Sequence, residues 1–295
     1  MHELRNAEDF IKYFEKGYGK KIYRVPFLYN WNNVALLCCK VNNKYISLPY
    51  LSQGAIEHNP KSFDKVTSQN VEIRDIIPHS KYTYNEKVNF EMDLLDKDYI
   101  IPSNIRRKIE KAKKNGIFVY DNTSSINKKE YQKYINDFYF VYSRRMHKIG
   151  VPAISKKDIL RRIDTKNYFI FVAYFNSKPI GAASLNKITE DYFENEYFAT
   201  DSKYNYLYTS YALHNRMIEY SKQNNAKIYS FGRSTIYSKV YYFKKHWKVK
   251  EIKLVWSYTT KVKQLRNNKW FFKIWRSIPY KLSLLLGPII HKRVY

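Results

Sequence analysis

The sequence predicts a mixed α/β fold built from two successive units, on three observations. Apolar runs of strand length alternate with segments of helical period instead of being grouped by type. Turn and cap signals divide them at short intervals. The second half reads helix, hairpin, strand, helix, strand, helix, strand, and the first half is a looser version of that order, with no strong internal repeat. The boundaries expected are 1–100, 101–260 and a basic, aromatic tail over 261–295.

In the first half, Asn6 followed by Asp9 starts a short helix carrying Phe10, Ile11 and Phe14, with Gly17 as its end. Apolar runs at Lys21–Tyr29 and Val34–Val41 follow, and the second turns at Asn42-Asn43 into Lys44–Leu51 as a hairpin. A helix after Pro60, a strand Val71–Ile76 and an alternating strand Tyr84–Met92 complete the unit. In the second half, Pro102–Asn115 places Ile105, Ile109 and Ala112 on one helical face, and Gly116 stops it. Asn127 with Glu130 forms a capping-box pattern for a long helix whose inward stripe is Tyr131, Tyr134, Ile135, Phe138, Val141, Tyr142 and Met146. Gly150 and Pro152 end that helix, and Ser155 with Asp158 caps the next. There follow a hairpin (Tyr168–Phe175, Pro179–Ile188), a strand Tyr192–Ala199, a helix Leu207–Asn224 and a strand Lys227–Phe231. A helix Ile236–Trp247, capped by Ser234 or Thr235, leads to a final strand Lys250–Tyr258.

Composition narrows the class. Of 295 residues, 44% are hydrophobic and 27% charged, which is globular and not disordered. No leading apolar stretch resembles a signal peptide, and no apolar run is long enough to span a bilayer. Cys38 and Cys39 are adjacent within an apolar run, as small core residues of a reducing compartment would be, so the cytoplasm is the expected location. The net charge of +27 attracts polyanions, although a codon bias toward A and T would also raise lysine. Phosphate-bearing partners are expected: a nucleotide, tRNA, a diphosphate lipid carrier or an anionic membrane face. No DNA partner is expected. The histidines show no metal-ligand spacing, so no metal is expected. The absence of G-x-S-x-G argues against hydrolase chemistry.

Four segments stand in order across residues 48–247. They are Leu48-Pro49-Tyr50-Leu51 leading to Gly54, Ile105–Ala112 followed by Gly116, Met146 through Gly150 and Pro152, and Ser230-Phe231-Gly232-Arg233-Ser234 followed by Phe243-Lys244 and Trp247. Together they resemble the FemAB-like acyltransferases, a group with tandem GNAT folds. The resemblance implies transfer of an acyl or aminoacyl group to an amine of a cell-wall or surface-glycan precursor. Ser230 stands where the family often has an acid, and Lys248 where a glycine often follows the Trp. The loop Asp201–Tyr206 lacks the glycines that hold the pyrophosphate of acyl-CoA. That favours aminoacyl-tRNA or another activated donor over acyl-CoA, and the donor stays open between them.

Such a reaction needs a base for the amine and cations for phosphate and oxyanion. Glu194 and Glu196 share a strand face by their spacing, and Glu196 is the preferred base; the alternative is a solvated face paired with lysines. Arg233, at a strand end, is placed to grip phosphate. Lys244 shares a helix face with Tyr237 and Tyr241, and by the resemblance neutralises phosphate or the oxyanion, while Phe243 and Trp247 point into the core. Tyr197, Tyr237 and Tyr241 are expected to line the cleft. Arg106, Arg107 and Lys111 form a basic helix face for a polyanion, or a solvated surface, and Arg144 and Arg145 extend it.

The tail carries Lys261, Lys263, Arg266, Lys269, Lys273, Arg276, Lys281, Lys292 and Arg293 and no acid, interleaved with Trp270, Phe271, Phe272, Trp275 and the Leu282–Ile290 run. It suits either docking to an anionic membrane surface or packing on the domain. The competing readings of the whole chain are a non-catalytic polyanion- or RNA-binding protein and an inactive relic of the same fold at the membrane surface.

Overall fold

The computed structural model describes residues 1–65, 70–121, 128–261 and 269–294. Its first half holds β1 (His2–Glu3), α1 (Ala7–Tyr18), β2 (Ile22–Tyr29), β3 (Asn32–Val41), β4 (Lys44–Ser47), β5 (Ala55–His58), β6 (Val71–Asp75) and β7 (Tyr82–Asp93). Next come α2 (Ser103–Lys114), β8 (Phe118–Asp121), α3 (Lys128–Ile149) and α4 (Lys156–Ile163). The chain continues through β9 (Tyr168–Phe175), β10 (Lys178–Thr189), β11 (Tyr192–Thr200), a 3-10 turn at Ser202–Leu207 and α5 (Thr209–Gln223). It then forms β12 (Ile228–Ser230), β13 (Ser234–Thr235), α6 (Lys239–Lys245) and β14 (Lys250–Tyr258), and the tail folds as α7 (Lys269–Ser277) and α8 (Tyr280–Val294).

Local signals explain most of these elements. Asn6 caps α1 by accepting from the Asp9 N–H at 3.2 Å. The helix runs past Gly17, however, and closes at Gly19, whose φ of +62° suits a residue without Cβ. Ser155 and Asp158 form a reciprocal capping box on α4. The inward stripe of α3 is buried at Tyr134, Ile135, Phe138, Val141, Tyr142 and Met146. Asn127, Lys263 and Arg266 lie outside the described residues. Residues 61–65, where a helix was expected after Pro60, hold none.

Among the described residues the two halves share one 14-stranded mixed sheet: twelve strands run in the order β1-β5-β3-β4-β6-β14-β7-β12-β11-β10-β9-β8, while β2 pairs with β3 and β13 with β7 beside that path. Strands from the two halves interleave at its centre: β14 lies between β6 and β7, and β7 pairs with β12. Both faces of the sheet are buried in the second half. Along β9 and β10, Phe171, Ala173, Ala183 and Leu185 face a core with Leu213, Met217 and Trp247. Ile170, Val172 and Ala182 face Tyr134, Ile135 and Phe138 on the other side. Cys39 and Cys38 likewise alternate into the two cores of the first half. Burial raises both thiols, Cys39 to about 12, so they are packing residues and poor nucleophiles.

Candidate active site

Strands β11 and β12 run parallel and pair at only three positions, the last being Glu194 with Ser230. Beyond that point β11 continues along β10 to Thr200, while the chain leaves β12 through Gly232. Gly232 has φ +73°, and any Cβ there would run into the carbonyl oxygen of Asn195. The strands therefore part at their carboxyl ends, where open α/β sheets collect ligands. A cavity of about 670 Å³ fills the gap, a volume ordinary for a small-molecule site.

Glu194 and Lys244 both line this cavity. Glu194 accepts hydrogen bonds from the Ser52 N–H at 2.9 Å and the Ser230 hydroxyl at 3.3 Å. Burial pushes its pKa up to about 7, against the lowering effects of Ser52 and Arg233. Lys244 donates to the carbonyls of Gly232 at 2.7 Å and Arg233 at 3.4 Å. Burial pulls its pKa down to about 7; attraction to Glu194 opposes this and repulsion from Arg233 adds to it. Two carbonyls hold the ammonium without neutralising it, and it keeps a third N–H. The Arg233 guanidinium also lines the cavity, tied to the carbonyls of Leu51 at 2.6 Å and Pro49 at 3.2 Å. The loop of the first half thus fixes the arginine of the second.

Glu196 lines the same cavity but is differently engaged. Its carboxylate accepts from Arg162 at 2.6 Å and from the Tyr18 hydroxyl at 2.7 Å. The guanidinium lies over the rings of Tyr18, Tyr50, Tyr168 and Tyr197, between 4.1 and 5.7 Å from their centroids. Glu196 is thus the counter-charge of a fully buried guanidinium. Of the two carboxylates, Glu194 is the one that forms no ion pair among the described residues.

The other expected site residues separate. Tyr197 lines the cavity, with its hydroxyl 3.3 Å from Arg162. Tyr237 is 76% exposed, with φ +61°, and lies before α6 instead of on it. Helix α6 starts later than expected because Ser234 and Thr235 pair with Val88 and Lys87 of β7, and Ser238 is the residue that caps it. Tyr241 is buried away from the cavity wall, its hydroxyl 3.2 Å from each Glu251 oxygen. Phe243 is half-buried and lines the cavity, contrary to the core position expected, whereas Trp247 is fully buried. Arg106, Arg107 and Lys111 are exposed on α2 and do not border the cavity. Their neighbour Lys108 reaches the hydroxyl of Tyr211 at 3.0 Å, and Tyr211 is part of the wall. Arg145 lines the cavity too, while Arg144 sits over the Phe140 ring.

Three contributors carry no local signal in the sequence. Ser52 supplies a backbone donor. His214 stacks on Phe198 and meets the Tyr229 hydroxyl at 2.7 Å; burial and the Lys244 charge hold its pKa well below the usual imidazole value. His291 enters the wall from α8. The turn after β11 is a 3-10 turn followed by Tyr208 in the left-handed region, in place of a glycine-rich loop.

The sheet, its splayed parallel pair and the cavity between them make up a mixed α/β fold that solved structures share. In particular, the chain resembles FemX, with a TM-score of 0.57 at 10% identity over 87% of this chain and 96% of that one. It resembles L-PGS from Bacillus licheniformis at 0.56 and 11%, covering 95% and 99% of the two chains. It also resembles a C-terminal domain assigned to a lysylphosphatidylglycerol synthetase of Agrobacterium fabrum, at 0.58 and 9%, covering 85% and 88%. At such identities the likeness is one of fold. No protein-family model and no curated protein matches the sequence.

Proposed function

We propose that the protein is an N-acyltransferase that moves an acyl or aminoacyl group from an activated ester to the amine of a phosphate-bearing cell-wall or surface-glycan precursor. The observation that carries this reading is the buried pair Glu194 and Lys244, both brought near neutrality, at the mouth where β11 and β12 part. Ionised Glu194 takes a proton from the attacking amine, directly or through water, as its nitrogen bonds to the acyl carbon. The third N–H of Lys244 faces the oxyanion that forms. When the acyl–oxygen bond breaks, a proton from Lys244 or water goes to the leaving oxygen. Such a base contributes about 10²–10⁴-fold in rate and such a donor about 10²–10³-fold.

The carboxylate that the FemAB-like pattern often has at position 230 is replaced by Ser230, and Glu194 presents one directly across the strand pair. Arg233 and Arg145 supply positive charge for phosphate within the cavity. The glycine-free turn after β11 favours aminoacyl-tRNA as donor over acyl-CoA, and the exposed Arg106, Arg107 and Lys111 offer a face for its backbone.

The test is transfer of radiolabel from bulk charged tRNA, and separately from acetyl-CoA, to a UDP-linked muropeptide extract. Label should appear in the muropeptide from charged tRNA and fall at least about 100-fold with Glu194→Gln or Lys244→Met. Background transfer from both donors, or full transfer by either variant, overturns the reading.

A further inference from the structure

Helix α8 is amphipathic in the wrong sense for a helix that ends at water. Its buried face is Ser283, Gly287 and His291, one residue every four. Gly287 lies flat against Ala153, where a Cβ would come within 2.9 Å of the Ala153 carbonyl oxygen. Its outward face is Leu282, Leu285, Leu286 and Ile289, of which Leu285 is 71% and Ile289 55% exposed. Helix α7 buries Trp275 but also leaves apolar side chains outward, Trp270 at 70% and Ile274 at 40% exposed. Packing on the domain therefore covers Trp275 of α7 and the small and polar face of α8, and leaves Trp270, Ile274, Leu282, Leu285, Leu286 and Ile289 uncovered. Apolar patches of this kind on a folded protein mark a surface that something else covers.

We propose that the outward faces of α7 and α8 dock on the surface of an anionic phospholipid bilayer. The charges around the patch select that occupant. Lys273, Arg276 and Lys281 are exposed beside the apolar side chains, and residues 259–295 contain no acid. A second copy of this chain would bring the same cations against themselves, on a protein whose net charge is already +27. An anionic headgroup layer neutralises them while the leucines, isoleucines and Trp270 enter the acyl boundary, as in-plane amphipathic helices do. No helix among the described residues is long and apolar enough to cross a membrane, so the mode is surface docking.

Docking stands apart from the chemistry in the cavity, because none of the outward residues lines it. The two meet at His291, which reaches the cavity wall from the other side of α8. On the transferase reading, and resting on it, this geometry sets the cavity beside the bilayer and suits an acceptor whose phosphate is carried by a lipid.

Sedimentation of the full chain with phosphatidylglycerol–phosphatidylcholine vesicles, against pure phosphatidylcholine, tests the proposal. The protein should pellet with the anionic vesicles, release as salt rises, and bind the neutral ones far more weakly. Leu285→Glu with Ile289→Glu should weaken vesicle binding on the order of a hundredfold. The same variant should keep the wild-type unfolding midpoint and elution volume. If the double variant misfolds, Lys273→Glu with Lys281→Glu replaces it, and loss of anionic selectivity is the result expected. Failure of the wild type to bind, unchanged binding by the variants, or a wild-type dimer that the leucine–isoleucine variant splits would each overturn the proposal. Soluble transfer activity is read separately and can fail or persist without altering these outcomes.

Discussion

Two buried charge clusters lie two residues apart on β11, and they are built in opposite ways. At Glu196 the carboxylate meets a guanidinium at 2.6 Å, a tyrosine hydroxyl at 2.7 Å, and a cage of aromatic rings around the cation. At Glu194 the carboxylate has a backbone N–H and a hydroxyl, and Lys244 has two carbonyls; no ion pair between the two is formed. The first cluster is neutralised by its own ion pair, joining α1 of one half to α4 and β11 of the other. The second leaves two ionisable groups facing a cavity, each displaced toward the pH at which it can gain or lose a proton. Burial with a matched partner fixes the charge of both groups, and burial without one shifts each toward its neutral form.

Substitution should separate the clusters. The largest effect expected is on rate: Glu194→Gln lowers transfer by about 10²–10⁴-fold and Lys244→Met by about 10²–10³-fold, while the unfolding midpoint moves little. Single-turnover kinetics beside urea unfolding would show it. Next, Glu196→Gln should destabilise the fold by about 3 kcal/mol, because it leaves the Arg162 cation buried without its counter-charge. Residual activity of that variant should track the folded fraction. A comparison in which Glu196→Gln abolishes transfer without loss of stability would reverse the assignment of the two carboxylates. The smallest effect belongs to the outer surface. Arg106→Glu, Arg107→Glu and Lys111→Glu together should weaken tRNA binding about tenfold and flatten its dependence on salt, leaving the single-turnover rate of bound substrate unchanged.

Much of this architecture is legible in the residues, because it rests on local chemistry. The Ser155–Asp158 box, the inward stripe of α3 and the turns that join the hairpins are each written within a few neighbouring positions. What escapes is decided by distant partners. Glu194 and Glu196 are equivalent by period; they differ because one meets Ser52, 142 residues away, and the other Arg162, 34 residues away. The start of α6 escapes for the same reason, since Ser234 and Thr235 are held by β7 and not by the helix they precede. Tyr237 is displaced with them. The interleaving of β14 between β6 and β7 has no local trace either, since register across two halves is set by the sheet as a whole.

The central claim, that Glu194 and Lys244 carry the proton traffic, is tested most directly by the pH dependence of kcat/KM. Glu194 must be ionised to accept a proton, so the rate should rise as pH climbs through about 7, the value to which burial lifts it. Lys244 must be protonated to face an oxyanion, so the rate should fall as pH passes about 7, the value to which burial lowers it. The two limbs give a narrow bell centred near neutrality, read as apparent values of the pair. Glu194→Gln should remove the rising limb and Lys244→Met the falling one. A profile flat through neutrality, or limbs that survive both substitutions, would contradict the account.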